Sequence, residues 1–169
     1  MPLVLTGAGE ITGLTSVPSS GLQLADANMP TGSVLQVVSN TYATIVSSTN
    51  TTFVDTGLTA TITPTSATSK ILVSVSQNGI QKTTNSGAYM RLVVLRNSTV
   101  IGTPAATAGY TASAATNYIG TLSGTYLDSP ATTSAIVYKT QFKSEGNSAT
   151  VSVQGDSEQS TITLMEIAA

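Results

Sequence analysis

Residues 70–80, KILVSVSQNGI, decide the fold, because they alternate in the manner of a β-strand. Ile71, Val73 and Val75 share one face of that strand, and the opposite face carries Leu72 and two serines. A run that is apolar on one face and mixed on the other is typical of a strand covered on at least one side. We therefore predict that residues 70–80 form a central strand of a sheet.

Similar patterns fill the chain from Ser33 to Ala168, where short runs of Val, Ile, Thr and Tyr are separated by Gly, Asn, Ser and Pro. Helical periodicity is missing, and the connections are short enough for antiparallel pairing. Besides residues 70–80, the predicted strands are 33–39, 42–47, 52–62 with a break at Gly57, 89–96, 99–103, 117–123, 132–144, 148–155 and 161–169. The sequence therefore predicts an all-β fold, an antiparallel β-sandwich of about eight to ten strands.

For two of these segments the sequence also predicts a turn position or a core face. The stretch AYMRLVVLRNSTVIGT predicts a hairpin with arms at residues 89–96 and 99–103 and a turn at Asn97 and Ser98. In TTSAIVYKTQFKS the predicted core face carries Ile136, Tyr138, Thr140 and Phe142.

The first 32 residues follow a different pattern. The stretch GEITGLTSVPSSGLQLADANMPTGS, residues 9–33, has too many Gly and Pro breaks for a helix and too many spaced apolar residues for a solvated tail. An extended segment of this kind becomes ordered when a partner surface buries its apolar side chains and pairs its backbone. We interpret residues 1–32 as an extended docking arm and residues 33–169 as the β-sandwich head. The predicted docking residues are Leu3, Leu5, Ile11, Leu14, Val17, Leu22 and Leu24.

Composition argues against several classes of protein. Only 8% of the 169 residues are charged, and the six Lys and Arg are spread singly in a chain of net charge −2, so nucleic-acid binding is not expected. Apolar runs such as ILV and LVVL are far shorter than the roughly 20 residues that cross a bilayer, so no membrane association is expected. The start of the chain lacks the basic flank and long apolar core of a secretory signal.

The sequence offers few groups for catalysis. Cys and His are both absent, which removes thiolate nucleophiles, the usual zinc ligands and the commonest proton carrier near neutral pH. We predict no catalytic residue, no cofactor and no metal. Five acidic residues of the head lie in or beside Gly, Ser and Asn turns, where carboxylates commonly bond local amides: Asp55, Asp128, Glu145, Asp156 and Glu158. Calcium binding by DSEQS, residues 156–160, is the alternative to a solvated turn.

Three tyrosines recur every eight residues, at Tyr110, Tyr118 and Tyr126. Tyrosine offers amphipathic contact area, so these rings are candidate contacts for a ligand or for a neighbouring subunit. The alternative is that they pack inside the sandwich.

Three stretches carry a resemblance to known proteins: residues 9–39, FVDTGLTATITPTSATSKILVSVS at 53–76 and MRLVVLRNSTVIGT at 90–103. They resemble a group of bacteriophage virion proteins, often tail-fibre-like, that is common among phages of aquatic bacteria. The strand order also resembles the trimeric jelly rolls of the tumour-necrosis-factor and complement type, with a LRNSTVIG-like hairpin and a final strand such as STITLMEIA. These resemblances imply a jelly-roll-like sandwich and a homotrimer.

Together, the arm and the resemblance predict a non-enzymatic protein on the surface of a virion. The leading hypothesis is a capsid decoration protein, of cement or head-fibre type, whose arm binds the major capsid protein. The alternative is a trimeric tail-fibre tip, with the arm bound to a tail or baseplate protein and the head bound to host surface glycan. A tip would expose aromatic and polar residues together at the end furthest from the arm.

Overall fold

The computed structural model describes residues 29–83 and 85–169, which form ten strands and one short 3-10 turn at Gly155–Ser157. Within these residues, no helix is long and apolar enough to cross a membrane. The strands are β1 Val34–Tyr42, β2 Val46–Ser48, β3 Val54–Ile62, β4 Lys70–Lys82, β5 Tyr89–Arg96, β6 Thr99–Ala108, β7 Asn117–Asp128, β8 Ile136–Glu145, β9 Val151–Val153 and β10 Ser160–Ile167.

The strand pairing is nested around the β5–β6 turn. Outward from that turn, β5 pairs with β6, β4 with β7, β3 with β8 and β1 with β10, all antiparallel. These pairs lie in two sheets: sheet A joins β1, β10, β4 and β7, with β9 and β2 alongside, and sheet B has the order β3-β8-β5-β6. Eight strands rolled up in this way form a jelly roll. The prediction of an all-β, antiparallel jelly-roll-like sandwich is confirmed.

Strand β4 is the centre of sheet A, as the alternation in residues 70–80 predicts. One edge of β4 pairs with β10 and then with β9, and the other edge pairs with β7 over most of its length. The apolar set Ile71, Val73 and Val75 points into the sandwich and is at most 2% exposed. Leu72 and the serines of the opposite face lie on the outer surface of sheet A.

Other strand predictions have mixed outcomes. The hairpin turn at Asn97 and Ser98 is confirmed, and Asn97 adopts the positive φ of 52°. The predicted break between residues 39 and 42 is wrong, because β1 continues to Tyr42. The polar residues are tolerated there because Asn40 donates from Nδ2 to the Thr59 carbonyl at 2.7 Å.

The seven predicted docking residues of the arm all lie outside the described residues. The boundary between arm and head stays a prediction.

The interior of the sandwich contains two apolar clusters. The larger lies toward the end where β4 begins and includes Ile71, Tyr138 and Leu164. The smaller lies toward the end where β4 finishes and includes Ile80 and Phe142. The predicted core face of β8 is confirmed, since its residues reach both clusters and are at most 1% exposed.

A layer of polar side chains lies between the two clusters. Thr56 and Thr140 share a hydrogen bond of 2.5 Å, Thr140 Oγ1 donates to Gln77 Oε1 at 2.9 Å, and Gln77 Nε2 donates to Ser160 Oγ at 3.0 Å. All four residues are 0% exposed. Each therefore occupies the position on its strand where the apolar alternation would place another core residue. The layer links β3 and β8 in one sheet to β4 and β10 in the other.

This layer should contribute measurably to stability. In Thr140→Val the shape is kept but the hydroxyl that binds Gln77 and Thr56 is lost. Because buried polar partners are then left unsatisfied, we expect the free energy of unfolding to fall by about 1–3 kcal/mol in urea titrations. The control is Thr61→Val, the same change at an exposed position of β3, which should stay within about 0.5 kcal/mol of the wild type. Equal effects of the two changes would contradict a stabilising role for the layer.

Candidate functional surfaces

Three connections meet at the end of the sandwich where β4 finishes, and this end is called the distal end below. They are residues 85–88, 109–116 and 146–150. Asn85 Nδ2 donates to the Asn147 carbonyl at 2.8 Å, Asn147 Nδ2 donates to the Ser86 carbonyl at 2.6 Å, and Gly87 N donates to the Thr111 carbonyl at 2.8 Å. The distal connections are thus tied to one another by side-chain amides and backbone bonds.

A buried lysine lies beneath these connections. Lys82, the last residue of β4, is 0% exposed, and its ammonium donates to the Asn85 carbonyl and to Thr111 Oγ1, both at 2.6 Å. Both acceptors are uncharged. A buried ammonium requires such hydrogen bonds because it has lost its water. Lys82 therefore positions two of the three distal connections relative to the end of β4.

The three predicted tyrosines separate into two groups. Tyr110 is 57% exposed at the distal end, where its ring centroid lies 6.4 Å from that of Tyr89, and Tyr118 is 71% exposed near the start of β7. Tyr126 instead packs against the larger apolar cluster. Its ring fills the space over Gly102, where a Cβ atom would collide with it. The recurrence every eight residues therefore does not place the three rings on one surface, although two of them are accessible.

The outer face of sheet B carries ion pairs between neighbouring strands. Asp55 on β3 contacts Lys139 Nζ at 2.8 Å, and Glu145 at the end of β8 contacts Arg91 at 3.0 Å and Lys143 at 2.6 Å. Burial opposes charging of Asp55, but hydrogen bonds from Lys139 and Gln141 lower its pKa. The hydrogen bond from Lys143 likewise lowers the pKa of Glu145. The interpretation of both carboxylates as acceptors of local turn amides is wrong, because their partners are basic side chains. Lys139 and Arg91 come from neighbouring strands, and Lys143 lies on the same strand as Glu145.

Asp128, at the end of β7, is also held by side chains from other strands. It accepts from Arg96 Nη1 at 2.9 Å and from the Tyr138 hydroxyl at 2.7 Å. Burial, and then the bond to Asp128, raise the pKa of Tyr138 well above its usual value, so this hydroxyl remains a proton donor. Asp128 thus joins β7 to β5 and β8, and its turn interpretation is wrong as well.

The DSEQS segment lies beside the end of β4. Glu158 Oε2 accepts from Gly79 N at 2.8 Å. This amide belongs to β4 and not to the turn around Glu158, so the interpretation of Glu158 as an acceptor of local turn amides is wrong. Asp156 is exposed in the 3-10 turn and has a positive φ of 56°. Within residues 29–83 and 85–169, no group of three or more acidic, His or Cys side chains is placed to hold a metal ion.

The outer face of sheet A differs from that of sheet B in chemistry. We call it the hydroxyl face and define it by three rows across β1, β10, β4 and β7: Val37–Met165–Leu72–Leu127, Ser39–Thr163–Ser74–Thr125 and Thr41–Thr161–Ser76–Ser123. These rows contain no charged residue, and eight of their twelve positions are Ser or Thr. Val37 and Leu127, at the two ends of the apolar row, are 55% and 56% exposed.

The first described residues enter the sandwich at the end opposite to the distal end. We call this the basal end. Gly32 N donates to the Ala168 carbonyl at 2.8 Å, and Ala168 N donates to the Ser33 carbonyl at 2.9 Å. Beside them is an open cavity of about 370 Å³, lined by Met29, Leu35, Thr65, Ser66, Thr68, Ser69, Ala168 and Ala169. Residues 29–33 therefore join the head at its base.

Glu166 is a buried carboxylate near this cavity that sequence reasoning did not identify. It is 0% exposed and accepts from Gln36 Nε2 at 2.5 Å and from both the amide and the hydroxyl of Thr65 at 2.8 Å. Burial alone would raise the pKa of Glu166, but the hydrogen bonds from Gln36 and Thr65 outweigh it and the pKa is lowered. The only signal in the sequence was its parity, since Glu166 alternates in phase with Ile162 and Leu164.

Solved structures with a similar backbone include two structures of one viral protein. No protein-family model matches the chain, and no curated protein matches its sequence. The crystal structure of the infectious bursal disease virus VP2 subviral particle aligns with a TM-score of 0.46 and 12% identity, over 81% of this chain and 38% of that chain. A mutant VP2 protein of the same virus, in derived T=1 particles, aligns with a TM-score of 0.44 and 12% identity, over 99% and 41%. The chain spans about two fifths of the length of these proteins.

The hydrogen bonds to Glu166 predict a pH dependence of stability. A carboxyl whose pKa is lower in the folded than in the unfolded protein stabilises the fold above its unfolded pKa of about 4.5, and this contribution disappears as the pH falls through the folded value. We expect Glu166→Gln to lower the free energy of unfolding by about 1–3 kcal/mol at pH 7 and by much less at pH 3. Urea titrations at pH 7 and at pH 3 measure the loss of unfolding free energy at each pH.

The matched control is Asp55→Asn, because Asp55 also has a lowered pKa but is an exposed ion-pair partner. An exposed ion pair contributes roughly 0–1 kcal/mol, so this change should have the smaller effect at pH 7. A loss in Glu166→Gln that is equally large at pH 3 would contradict a role for the charge.

Proposed function

We propose that this protein is a non-enzymatic structural component of a bacteriophage virion. In this proposal it is a homotrimer on the particle surface that decorates the capsid, bound to the major capsid protein by the arm of residues 1–32. The resemblance of residues 9–39, 53–76 and 90–103 to phage virion proteins supports the assignment. The jelly-roll topology agrees with the fold which that resemblance implies.

The observation that carries the proposal is the polarity of the head. Residues 29–33 join the sandwich at its base, beside Ala168, whereas the exposed Tyr110 and the tied connections lie at the distal end. The 13 residues of β4 run from one end to the other, a distance of about 40 Å. An arm that leaves from the base suits a head that is attached at one end and projects at the other.

The composition of the core supports separate roles for arm and head. The buried members of both apolar clusters lie between Leu58 and Leu164, and the polar layer between them begins at Thr56. The apolar side chains of the clusters pack against one another, and the polar side chains of the layer bond to one another, within the sandwich. We infer that the head folds without residues 1–28, whose apolar side chains are then available to bind the particle.

Deletion of residues 1–28 tests this division. We expect the truncated protein to keep its oligomeric state and to melt within a few degrees of the full chain, because the core clusters are intact. It should no longer bind particles that lack the protein, since each arm leucine contributes roughly 1.5–3 kcal/mol when fully covered and three arms act together. Melting is followed by circular dichroism, and particle occupancy by quantitative gel analysis of sedimented particles.

A pair of double variants refines the same test. Leu14→Asp with Leu22→Asp should abolish binding to particles. Thr15→Asp with Gln23→Asp adds the same charge at neighbouring polar positions and should bind more tightly than the leucine variant. Full occupancy by the truncated head would show that attachment lies in the sandwich, and unfolding of the truncated head would show that the arm belongs to the core.

A receptor-binding tip on the tail is the second candidate, and the tyrosines favour it. Tyr110 and Tyr118 are exposed near the end furthest from the base, and the amides and hydroxyls of the distal connections lie close to Tyr110. Exposed aromatic rings beside polar groups suit the binding of sugars, which present both C–H faces and hydroxyls. In this candidate the arm binds a tail or baseplate protein, and the head binds host surface glycan.

Binding of purified protein to host cells tests the second candidate. If the distal end binds glycan, Tyr110→Ala should reduce cell binding at least tenfold, because the ring supplies apolar contact, whereas Tyr110→Phe should keep most of it. Val137→Ala, on the outer face of sheet B, is the control for nonspecific effects. Copy number then separates the two candidates, since a decoration protein approaches the abundance of the capsid protein and a tail tip is scarce.

A further inference from the structure

The two outer faces of the sandwich differ in the number of charged side chains that they present to solvent. Sheet B presents Asp55, Arg91, Lys139, Lys143 and Glu145, which form three ion pairs. The hydroxyl face of sheet A presents no charge in its three rows. Lys70, opposite Ile167 and just beyond the apolar row, is the one charged side chain that the described strands of sheet A direct outward. The centres of protein interfaces are depleted of charged residues, whereas solvated surfaces carry them. Sheet B therefore has the character of the solvated face, and sheet A that of a covered one.

The hydroxyl face also carries exposed apolar side chains. Val37 and Leu127 are each more than half exposed at opposite edges of the sheet, and Met165 and Leu72 lie partly buried between them. The four side chains form a continuous apolar row across four strands. Covering such a row gains roughly 25 cal/mol for each Å² of apolar surface removed from water.

The chemistry of the face selects its occupant. We propose that the hydroxyl face is the surface through which copies of this chain associate, a proposal that rests on the self-association included in the proposed function. Around a rotation axis, groups near the axis approach their own copies. A charged group then meets a like charge, but a hydroxyl both donates and accepts, so Ser and Thr can bond to Ser and Thr. A face of hydroxyls and apolar side chains is thus complementary to itself.

Some hydroxyls of the face already pair within the sheet. Ser39 and Thr163 lie 3.1 Å apart and Ser74 and Thr125 lie 3.5 Å apart. Each of these hydroxyls has further lone pairs, so the pairs can extend to a second copy. A charged or strongly basic partner would find no opposite charge in the three rows, which argues for a neutral partner.

The size of the face is compatible with a stable interface. Four strands about 4.8 Å apart and three rows about 6.6 Å apart give a projected area of roughly 400 Å² for each copy. Val34, which is 49% exposed near the same edge as Val37, extends it. Two such faces total roughly 800 Å², so an interface above the 1,000 Å² or so that separates stable interfaces from incidental contacts must also cover Val34 and the margins of sheet A.

The test is the oligomeric state of the full chain with like charges placed on the face. Val37→Lys with Leu127→Lys should convert the oligomer to monomer at micromolar concentration in sedimentation-velocity ultracentrifugation, because lysines on neighbouring copies repel. The control is Val100→Lys with Val137→Lys, which adds the same charge at exposed positions of sheet B and should leave the oligomer intact. Circular dichroism verifies that all variants keep the β fold.

Crosslinking provides an independent readout, because the chain has no native cysteine. Ser74→Cys lies in the centre of the hydroxyl face and should couple copies through a short bismaleimide. Gln141→Cys lies on the outer face of sheet B and should not. Monomeric wild-type protein, an unaffected oligomer in the face variant, or equal crosslinking at the two positions would each overturn the proposal.

The result separates this inference from the proposed function. An oligomer that depends on the hydroxyl face but does not bind particles supports the interface and contradicts decoration. A monomer that decorates particles fully contradicts the interface and leaves decoration intact; protection of Ser74→Cys from maleimide on those particles would then identify a capsid protein as the occupant.

Discussion

The structure depends on the pairing of β4 along both of its edges. β4 holds β10 and β9 on one side and β7 on the other, so three separate segments of the chain are aligned by one strand. Because side chains alternate with a period of two, a slip of one residue would place Ile71 and Val73 in water and Leu72 in the core. The register of β4 thereby determines both the interior of the sandwich and the composition of the hydroxyl face.

Polar groups inside the sandwich add specificity that apolar packing alone does not provide. Thr140 and Gln77 bond in the layer between the clusters, Glu166 binds the β3–β4 connection at the base, and Lys82 binds two connections at the distal end. Each is 0% exposed and has at least one partner from a distant part of the sequence. A shifted register would leave these groups buried without partners, at a cost of about 1–3 kcal/mol for each unsatisfied group.

The same construction gives the head two ends and two faces with different chemistry. The chain enters at the base, the exposed Tyr110 lies at the distal end, ion pairs cover sheet B and hydroxyls cover sheet A. Attachment, association and recognition are thus assigned to separate surfaces in our proposals. A chain with only 8% charged residues has few charges to distribute, so their concentration on one face is informative.

The sequence by itself determined the sandwich, the central strand and the β5–β6 hairpin, because alternation and turn residues act over a few neighbours. It also placed Tyr138 and Phe142 in the core. Only the tertiary structure decided which carboxylates pair with which bases, that Tyr126 is packed while Tyr110 is exposed, and that Glu166 is buried. These outcomes depend on strands that are distant in sequence, and no local pattern encodes their partners. The hydroxyl face was also decided by the tertiary structure, since its rows combine residues from four strands in a register that only strand pairing sets.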